Sequence, residues 1–255
     1  VANSMIVLQY FGGSGFFSCK IAQDEAGTQY HNELKSSGLD TNYDHQARPE
    51  GETGRCLVKI TPDADRTMST NLGISESLSE SELHLDALKQ STYLYLEGYL
   101  TTSPLGHQAA LKAKRLAEEN GVKTAITFSD PAIVSQFKAQ FHELIDNGVD
   151  LVFCNESEAK EFTERDTLTE AIEQLKVIAK TFVITMRHLA TERRVSSLSS
   201  IHGRTSVQNR PPCKSRGSAA MCAARTIAAS ALSRGALQRK LPTLQQAAER
   251  GGLRR

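Results

Sequence analysis

The 255-residue chain has no tryptophan, and all of its 15 aromatic residues precede position 187. No stretch approaches the ~18 consecutive apolar residues of a membrane-spanning helix, so no membrane is expected as a partner. The five cysteines (Cys19, Cys56, Cys154, Cys213 and Cys222) form no Cys-x-x-Cys pair. That spacing argues against a zinc site or a disulfide framework and favours a reducing, cytoplasmic setting. The opening Val1-Ala2-Asn3-Ser4 carries no charged n-region and no initiating methionine. A fragment without a visible signal peptide is therefore expected.

A net charge of +1 conceals an uneven distribution. Residues 1–186 hold 16 Lys+Arg and 27 Asp+Glu, and residues 187–255 hold 14 and 2, with no aspartate at all. The change coincides with the loss of aromatics, so the two regions are read separately.

The first 186 residues alternate between strand and helix patterns. Gly15–Ala22, Thr92–Glu97, Lys123–Phe128, Asp150–Cys154 and Thr181–Met186 are short apolar runs. Between them lie amphipathic stretches at Asp24–Ser37, Pro104–Asn120, Ala132–Asn147 and the segment opened by Thr167-Leu168-Thr169-Glu170. Val1–Tyr10 reads as helix, and Ser79-Glu80-Ser81-Glu82 as a capping box before a helix to about Lys89. Thr53–Thr61 and Arg66–Leu72 flank a turn at Pro62-Asp63-Ala64-Asp65. The pattern predicts an α/β fold with a mostly parallel sheet covered on both faces. Ligands of such sheets bind beyond the carboxyl ends of the strands, here just after Glu97, Phe128 and Cys154.

Asn155-Glu156-Ser157-Glu158 stands at one of those ends. It fits a capping box, and it also fits a carboxylate that organises a hydrated Mg²⁺ beside a phosphate at a helix N-terminus. Tyr99 follows another strand end and could present an aromatic face or simply pack. Arg66 could meet an anion or remain solvated. The seven histidines form no catalytic cluster.

Several segments together resemble the ribokinase-like (pfkB) sugar and nucleoside kinases, and within them the adenosine kinase branch. Val1-Ala2-Asn3-Ser4 resembles the segment after that family's N-terminal Gly-Gly. The run from Phe16 to Gly27, with Asp24 before the glycine, resembles its next strand and turn, and Thr53-Gly54-Arg55-Cys56-Leu57-Val58 its Thr-Gly strand. Asp65-Arg66-Thr67-Met68, Gly98-Tyr99-Leu100, Phe128-Ser129-Asp130-Pro131 and Asn155-Glu156-Ser157-Glu158 follow in the family's order. The resemblance implies a three-layer αβα domain over residues 1–186 with a small β lid at about 41–72. It implies phosphoryl transfer from ATP, with Mg²⁺, to the 5′-hydroxyl of adenosine. Asn3, Thr53, Gly54 and Tyr99 would contact the substrate, and Arg66 would stabilise charge on the moving phosphoryl group. Asn155 and Glu158 would position nucleotide phosphate and metal, Glu158 through water.

The family's first strand, its sugar-binding Asp and its Gly-Ala-Gly-Asp motif are not found; the nearest string, Gly217-Ser218-Ala219-Ala220, has no acid. The chain by itself is therefore expected to be inactive. Residues 187–255 read as an out-of-frame product, a basic arm with only non-specific affinity for nucleic acid, or a divergent folded half. They are expected to add no strand to the sheet and to be poorly ordered or partly helical over Ala219–Gln238. The alternatives to a nucleoside kinase are a sugar kinase of the ribose or fructose type and a non-catalytic αβ module with a basic arm. Oligomeric state is left open.

Overall fold

The computed structural model describes residues 1–63, 66–186 and 226–231. The chain enters through helix α1 (Ala2–Tyr10), strand β1 (Ser14–Cys19), helix α2 (Glu25–Ser36) and a two-residue strand β2 (Asp40–Thr41). A hairpin follows, β3 (Thr53–Ile60) and β4 (Arg66–Gly73), paired from Thr53↔Gly73 at its base to Ile60↔Arg66 at its tip. It is a separate two-stranded sheet and corresponds to the expected lid.

A short helix α3 (Leu85–Lys89) leads into four strands and the helices between them. These are β5 (Tyr93–Glu97), α4 (Pro104–Glu119), β6 (Lys123–Thr127), α5 (Pro131–Gln136), α6 (Lys138–Ile145), β7 (Val149–Asn155), α7 (Glu156–Thr163), α8 (Leu168–Ile178) and β8 (Ala179–Thr185). Strands β5 to β8 are parallel neighbours in sequence order. Each step moves the same way across the sheet, so right-handed crossovers put all the connecting helices on one face.

That face carries the larger core. Helix α4 starts cleanly because Ser103 accepts the Gly106 amide and Pro104 occupies the first turn. Its buried stripe of Ala109, Ala110, Ala113 and Ala117 lets the helix lie close to Leu94, Leu96 and Ile126. Phe128, Phe141 and Phe162 pack ring on ring, with centroids 4.7 to 6.5 Å apart. Burying each such side chain contributes ~1.5–3 kcal/mol. A smaller core joins α1 and α2 to β1 through Met5, Phe17, Ile21, Leu34 and Leu39.

Two expectations for the body change in detail. The helix expected over Ala132–Asn147 is two helices, because Phe137 (φ −117°, ψ 31°) leaves the helical region. The Ser79–Glu82 capping box forms, but it opens a single 3-10 turn, and α3 restarts at a second cap where His84 accepts the Ala87 amide.

One expectation for the basic region is corrected. Thr226–Ala231 forms a strand, β9, antiparallel to both neighbours and lying between β1 and β5, so the sheet order is β2-β1-β9-β5-β6-β7-β8. Without it the facing edges of β1 and β5 would have no described ladder partner. Unpaired backbone groups inside a sheet cost free energy, and a run of small and β-branched residues such as Thr-Ile-Ala-Ala-Ser-Ala can satisfy them. Part of Ala219–Gln238, expected as helix, is thus strand; the rest of the expectation for residues 187–255 falls outside the described residues.

Candidate active site

The carboxyl ends of β5, β6 and β7 are held together by backbone geometry. Gly98 donates its amide to Ser129 Oγ at 3.0 Å. A Cβ on Gly98 would come within 2.7 Å of the Phe128 carbonyl oxygen, so only glycine allows this approach. Ser129 has a left-handed φ of 72°, a strained conformation of the kind concentrated at functional sites.

Three carboxylates stand at these ends. Glu97 closes β5 and pairs with the Val1 ammonium at 3.1 Å. Burial holds its carboxyl above the usual glutamate range, partly offset by that ammonium. Asp130 caps α5 by accepting the Ala132 amide at 2.8 Å. Glu158 forms the expected capping box: its two oxygens take the Asn155 amide at 2.9 Å and the Asn155 Nδ2 at 2.7 Å, and Asn155 Oδ1 takes the Glu158 amide at 2.8 Å. Burial also raises Glu158, the Asn155 amide lowers it in part, and the negative charge of Asp130 raises it again.

Tyr99 lies among them. Burial raises its hydroxyl pKa, and Asp130, Glu97, Glu158 and then Cys56 of the hairpin add to the shift. Tyr99 is half-buried in the turn Gly98–Thr102 that directly follows β5.

The lid base is tied to the body at Asp24, the N-cap of α2. Its carboxylate accepts the Gly27 amide at 2.9 Å, the Thr53 amide at 3.0 Å and the Thr53 hydroxyl, with Arg55 Nη2 at 3.6 Å. Burial raises the Asp24 carboxyl, but these hydrogen bonds and the Arg55 charge outweigh it and hold it below the usual range. The Thr53 hydroxyl also accepts the Ala22 amide at 2.9 Å. Thr53 thus serves the lid anchor, with one oxygen lone pair left over, and Gly54 follows it in the buried base of the hairpin.

Of the remaining residues, Asn3 is exposed in the first turn of α1, the helix whose first residues lie at the Glu97 end of β5. Arg66 opens β4 opposite Ile60, at the lid tip away from Thr53. Asn155, Glu158 and Tyr99 are thus brought to one region, Thr53 and Gly54 to the lid base, and Arg66 to its far end. Ser129 and Asp130 stand in the Phe128-Ser129-Asp130-Pro131 segment and Glu97 at a marked strand end, but the sequence assigned none of the three a role.

Among the described residues no group of three potential ligands could hold a metal by itself. A metal retained mainly by water and phosphate needs only one or two carboxylates. Glu158, buried at the carboxyl end of β7 with each oxygen accepting one hydrogen bond from Asn155, keeps lone pairs that could face the water shell of such an ion.

Comparison with known proteins agrees with this architecture. The family model described as pfkB family carbohydrate kinase matches residues 1–187. Mouse (Mus musculus) ribokinase is 26% identical over 162 residues, which is 64% of this chain and 47% of that protein. The structure of adenosine kinase from Sinorhizobium meliloti superposes with a TM-score of 0.68 at 29% identity, covering 78% of this chain and 64% of the other. A protein described as a probable sugar kinase from Rhizobium etli gives 0.68 at 28% identity, with coverage of 72% and 56%. The chain spans about half the length of the curated relative and less than two thirds of either structure. The match over most of the chain, on a ribokinase-like αβ fold with its lid and its Asn155–Glu158 cap in place, shows that the chain belongs to the pfkB family of carbohydrate kinases.

Proposed function

We propose that this chain carries the substrate-binding core of an ATP-dependent kinase that acts on the 5′-hydroxyl of adenosine. The observation that supports this best is the place of Tyr99 in the turn Gly98–Thr102 directly after β5, next to Gly98, whose amide reaches Ser129 at the end of β6. An aromatic face at that point suits a purine base, and the carboxylates at the strand ends suit hydroxyl donors. The likeness to an adenosine kinase at 29% identity supports the same choice. In this reading Asn3 donates to the ribose, and Thr53 and Gly54 hold the lid at the height of the substrate. Arg66 comes to the phosphoryl group when the lid folds inward. Asn155 and Glu158 hold the nucleotide's Mg²⁺, which when bound neutralises charge on the phosphates. The small-molecule site needs neither a membrane nor a nucleic acid, and a reducing cytoplasm is the setting that fits.

A second reading, a sugar kinase, is supported by the ribokinase and sugar kinase relatives. Equilibrium titration of the full chain with adenosine, ribose and fructose separates the two. Stacking on an aromatic side chain contributes ~1–3 kcal/mol per base. Tyr99→Ala is therefore expected to weaken adenosine roughly ten- to hundred-fold while ATP binding changes little. Equal losses for both ligands would make Tyr99 a packing residue, and preference for ribose would sink the nucleoside reading.

A further inference from the structure

The lid joins the body through two connections, one entering β3 and one leaving β4. The entering connection follows β2 through a 3-10 turn, Asn42–Asp44. Side chains fix that turn to the end of β1: Asn42 Oδ1 accepts the Cys19 amide at 3.1 Å, its Nδ2 donates to the Cys19 carbonyl at 3.0 Å, and the Tyr43 hydroxyl accepts the Ile21 amide at 3.1 Å. The leaving connection is tied to the same strand end, where Ser75 Oγ donates to the Lys20 carbonyl and Lys20 Nζ to the Ser77 carbonyl, both at 2.8 Å. The two connections also meet directly. His45, just after the turn, and His84, just before α3, pack with ring centroids 4.4 Å apart. Both rest on Phe16 of β1, at 5.9 and 5.0 Å. His84 Nδ1 accepts the Ala87 amide at 3.2 Å and so caps α3. His45 is exposed and His84 half-buried, so solvent protons reach both.

A ring nitrogen that accepts a hydrogen bond carries no proton, so protonating His84 removes its cap. Protonating both rings brings two positive charges into contact, where they repel. The charges nearby are committed elsewhere. Asp44 lies 3.1 Å from Lys35 and 3.5 Å from His31, both of α2. Glu82 takes the Ser79 amide at 2.8 Å and lies 3.4 Å from Lys20, the charge that β1 brings to this end. Asp86 is exposed in the first turn of α3. Among the described residues the histidines paired with a carboxylate are His31 and His107, not His45 or His84. We propose that His45 and His84 are a positioning pair for the lid: neutral, they latch its two connections together and hold it over the site; charged, they release it. Latching then requires proton loss, so it weakens as pH falls through the range in which imidazoles titrate. The ties through Asn42, Tyr43 and Ser75 are made by neutral groups, so the lid loosens without detaching. A site competent in only a fraction of the chains binds with its affinity reduced by that fraction. The effect on adenosine rests on the nucleoside reading, and the effect on the lid does not.

The test is amide hydrogen exchange on the full chain, read at Ile74, whose amide donates to the Glu52 carbonyl across the base of the lid at 2.9 Å. Adenosine affinity is measured beside it, both at about pH 7.5 and about pH 5.5. Protection, corrected for the intrinsic pH dependence of exchange, and affinity are each expected to fall roughly tenfold on acidification. His45→Phe keeps a ring against Phe16 and His84 but cannot take a proton, and is expected to remove most of that fall. His45→Ala is expected to show the loosened lid already at neutral pH. So is His84→Asn, which preserves a cap but not the ring contact. A fall in His45→Phe as large as in the parent chain would assign the pH dependence to Glu97, Glu158 or His31 and overturn the proposal. Parent-like protection of Ile74 at neutral pH in both His45→Ala and His84→Asn would overturn it as well. Protection that follows pH as expected, with no adenosine bound at either pH, would leave the latch standing and remove the nucleoside reading.

Discussion

Asp24 shows how much one short side chain can join. It caps α2, fixes the first residue of the lid and faces Arg55. Losing a cap costs ~1 kcal/mol, and a hydrogen bond to a charged group contributes ~1.5–3 kcal/mol. Asp24→Ala is therefore expected to lower stability by about 2–4 kcal/mol in urea unfolding. A loss under about 0.5 kcal/mol, the range of ordinary surface changes, would deny the anchor. The same residue sets a pH limb. Its folded pKa is depressed, so its stabilisation is present above the ordinary aspartate value and is lost as pH falls through the lower folded value. Glu97 and Glu158 act oppositely. Their folded pKa values are raised, so between the ordinary glutamate value and the raised one the folded state holds more protons than the unfolded state. Stability then decreases as pH rises through that window. A melting-temperature profile from about pH 3 to pH 7 should flatten on its acid side in Asp24→Asn. It should flatten on its upper side in the double variant of Glu97→Gln with Glu158→Gln. Unchanged limbs would assign the pH dependence elsewhere. The Asn155–Glu158 cap could be seen in the sequence because its partners are three residues apart. The Asp24–Thr53 bond could not, because 29 residues separate its partners and no local pattern encodes them.

At the scale of elements, the apolar stripes predicted type and order well and breaks poorly. Val134, Phe137, Phe141, Leu144 and Ile145 make one continuous helical stripe, so the interruption at Phe137 leaves no mark in the spacing. The amide of Phe137 still reaches the Ile133 carbonyl, and that of Phe141 reaches Phe137. The split is thus a dihedral change that keeps those hydrogen bonds. Gly98 is the reverse case, an ordinary letter in the sequence with a strict structural demand. Methyl carbon at that position would meet the Phe128 and Thr127 carbonyl oxygens and the Phe141 ring, all within 2.8 Å. Backbone oxygens between two strand ends cannot step aside as a flexible side chain would. Gly98→Ala is expected to cost ~1–3 kcal/mol by overpacking and to shift the Ser129 loop. Amide chemical shifts around residues 98–100 and 127–130 would report the shift. A variant with wild-type stability and unshifted resonances would show that the site ends are not so tightly joined.

Considered as a whole molecule, the chain has an acidic αβ body and a basic region that differ in composition, yet one strand of the second lies inside the sheet of the first. The body could be read from periodicity because its contacts are largely between neighbouring strands and their crossovers. The place of β9 could not, because its pairing depends on an opening between β1 and β5 that exists only in the folded sheet. That strand completes a ladder, but it brings no acid: residues 187–255 contain no aspartate, and no Gly-Ala-Gly-Asp occurs anywhere in the chain. Phosphoryl transfer in this family's manner needs a base for the acceptor hydroxyl and donors for the developing charge. A general base contributes ~10²–10⁴-fold, and one well-placed donor ~10²–10³-fold. Together their absence should place turnover at least four orders of magnitude, roughly, below the ~1–100 s⁻¹ typical of kinases. The chain alone is thus expected to bind the proposed nucleoside without phosphorylating it. ADP formation would be measured with adenosine, ribose and fructose in turn at saturating Mg-ATP. A rate near ~1 s⁻¹ with any of them would mean that another carboxylate takes the proton, and Glu97 and Asp130, at the ends of β5 and β6, would be the first to replace.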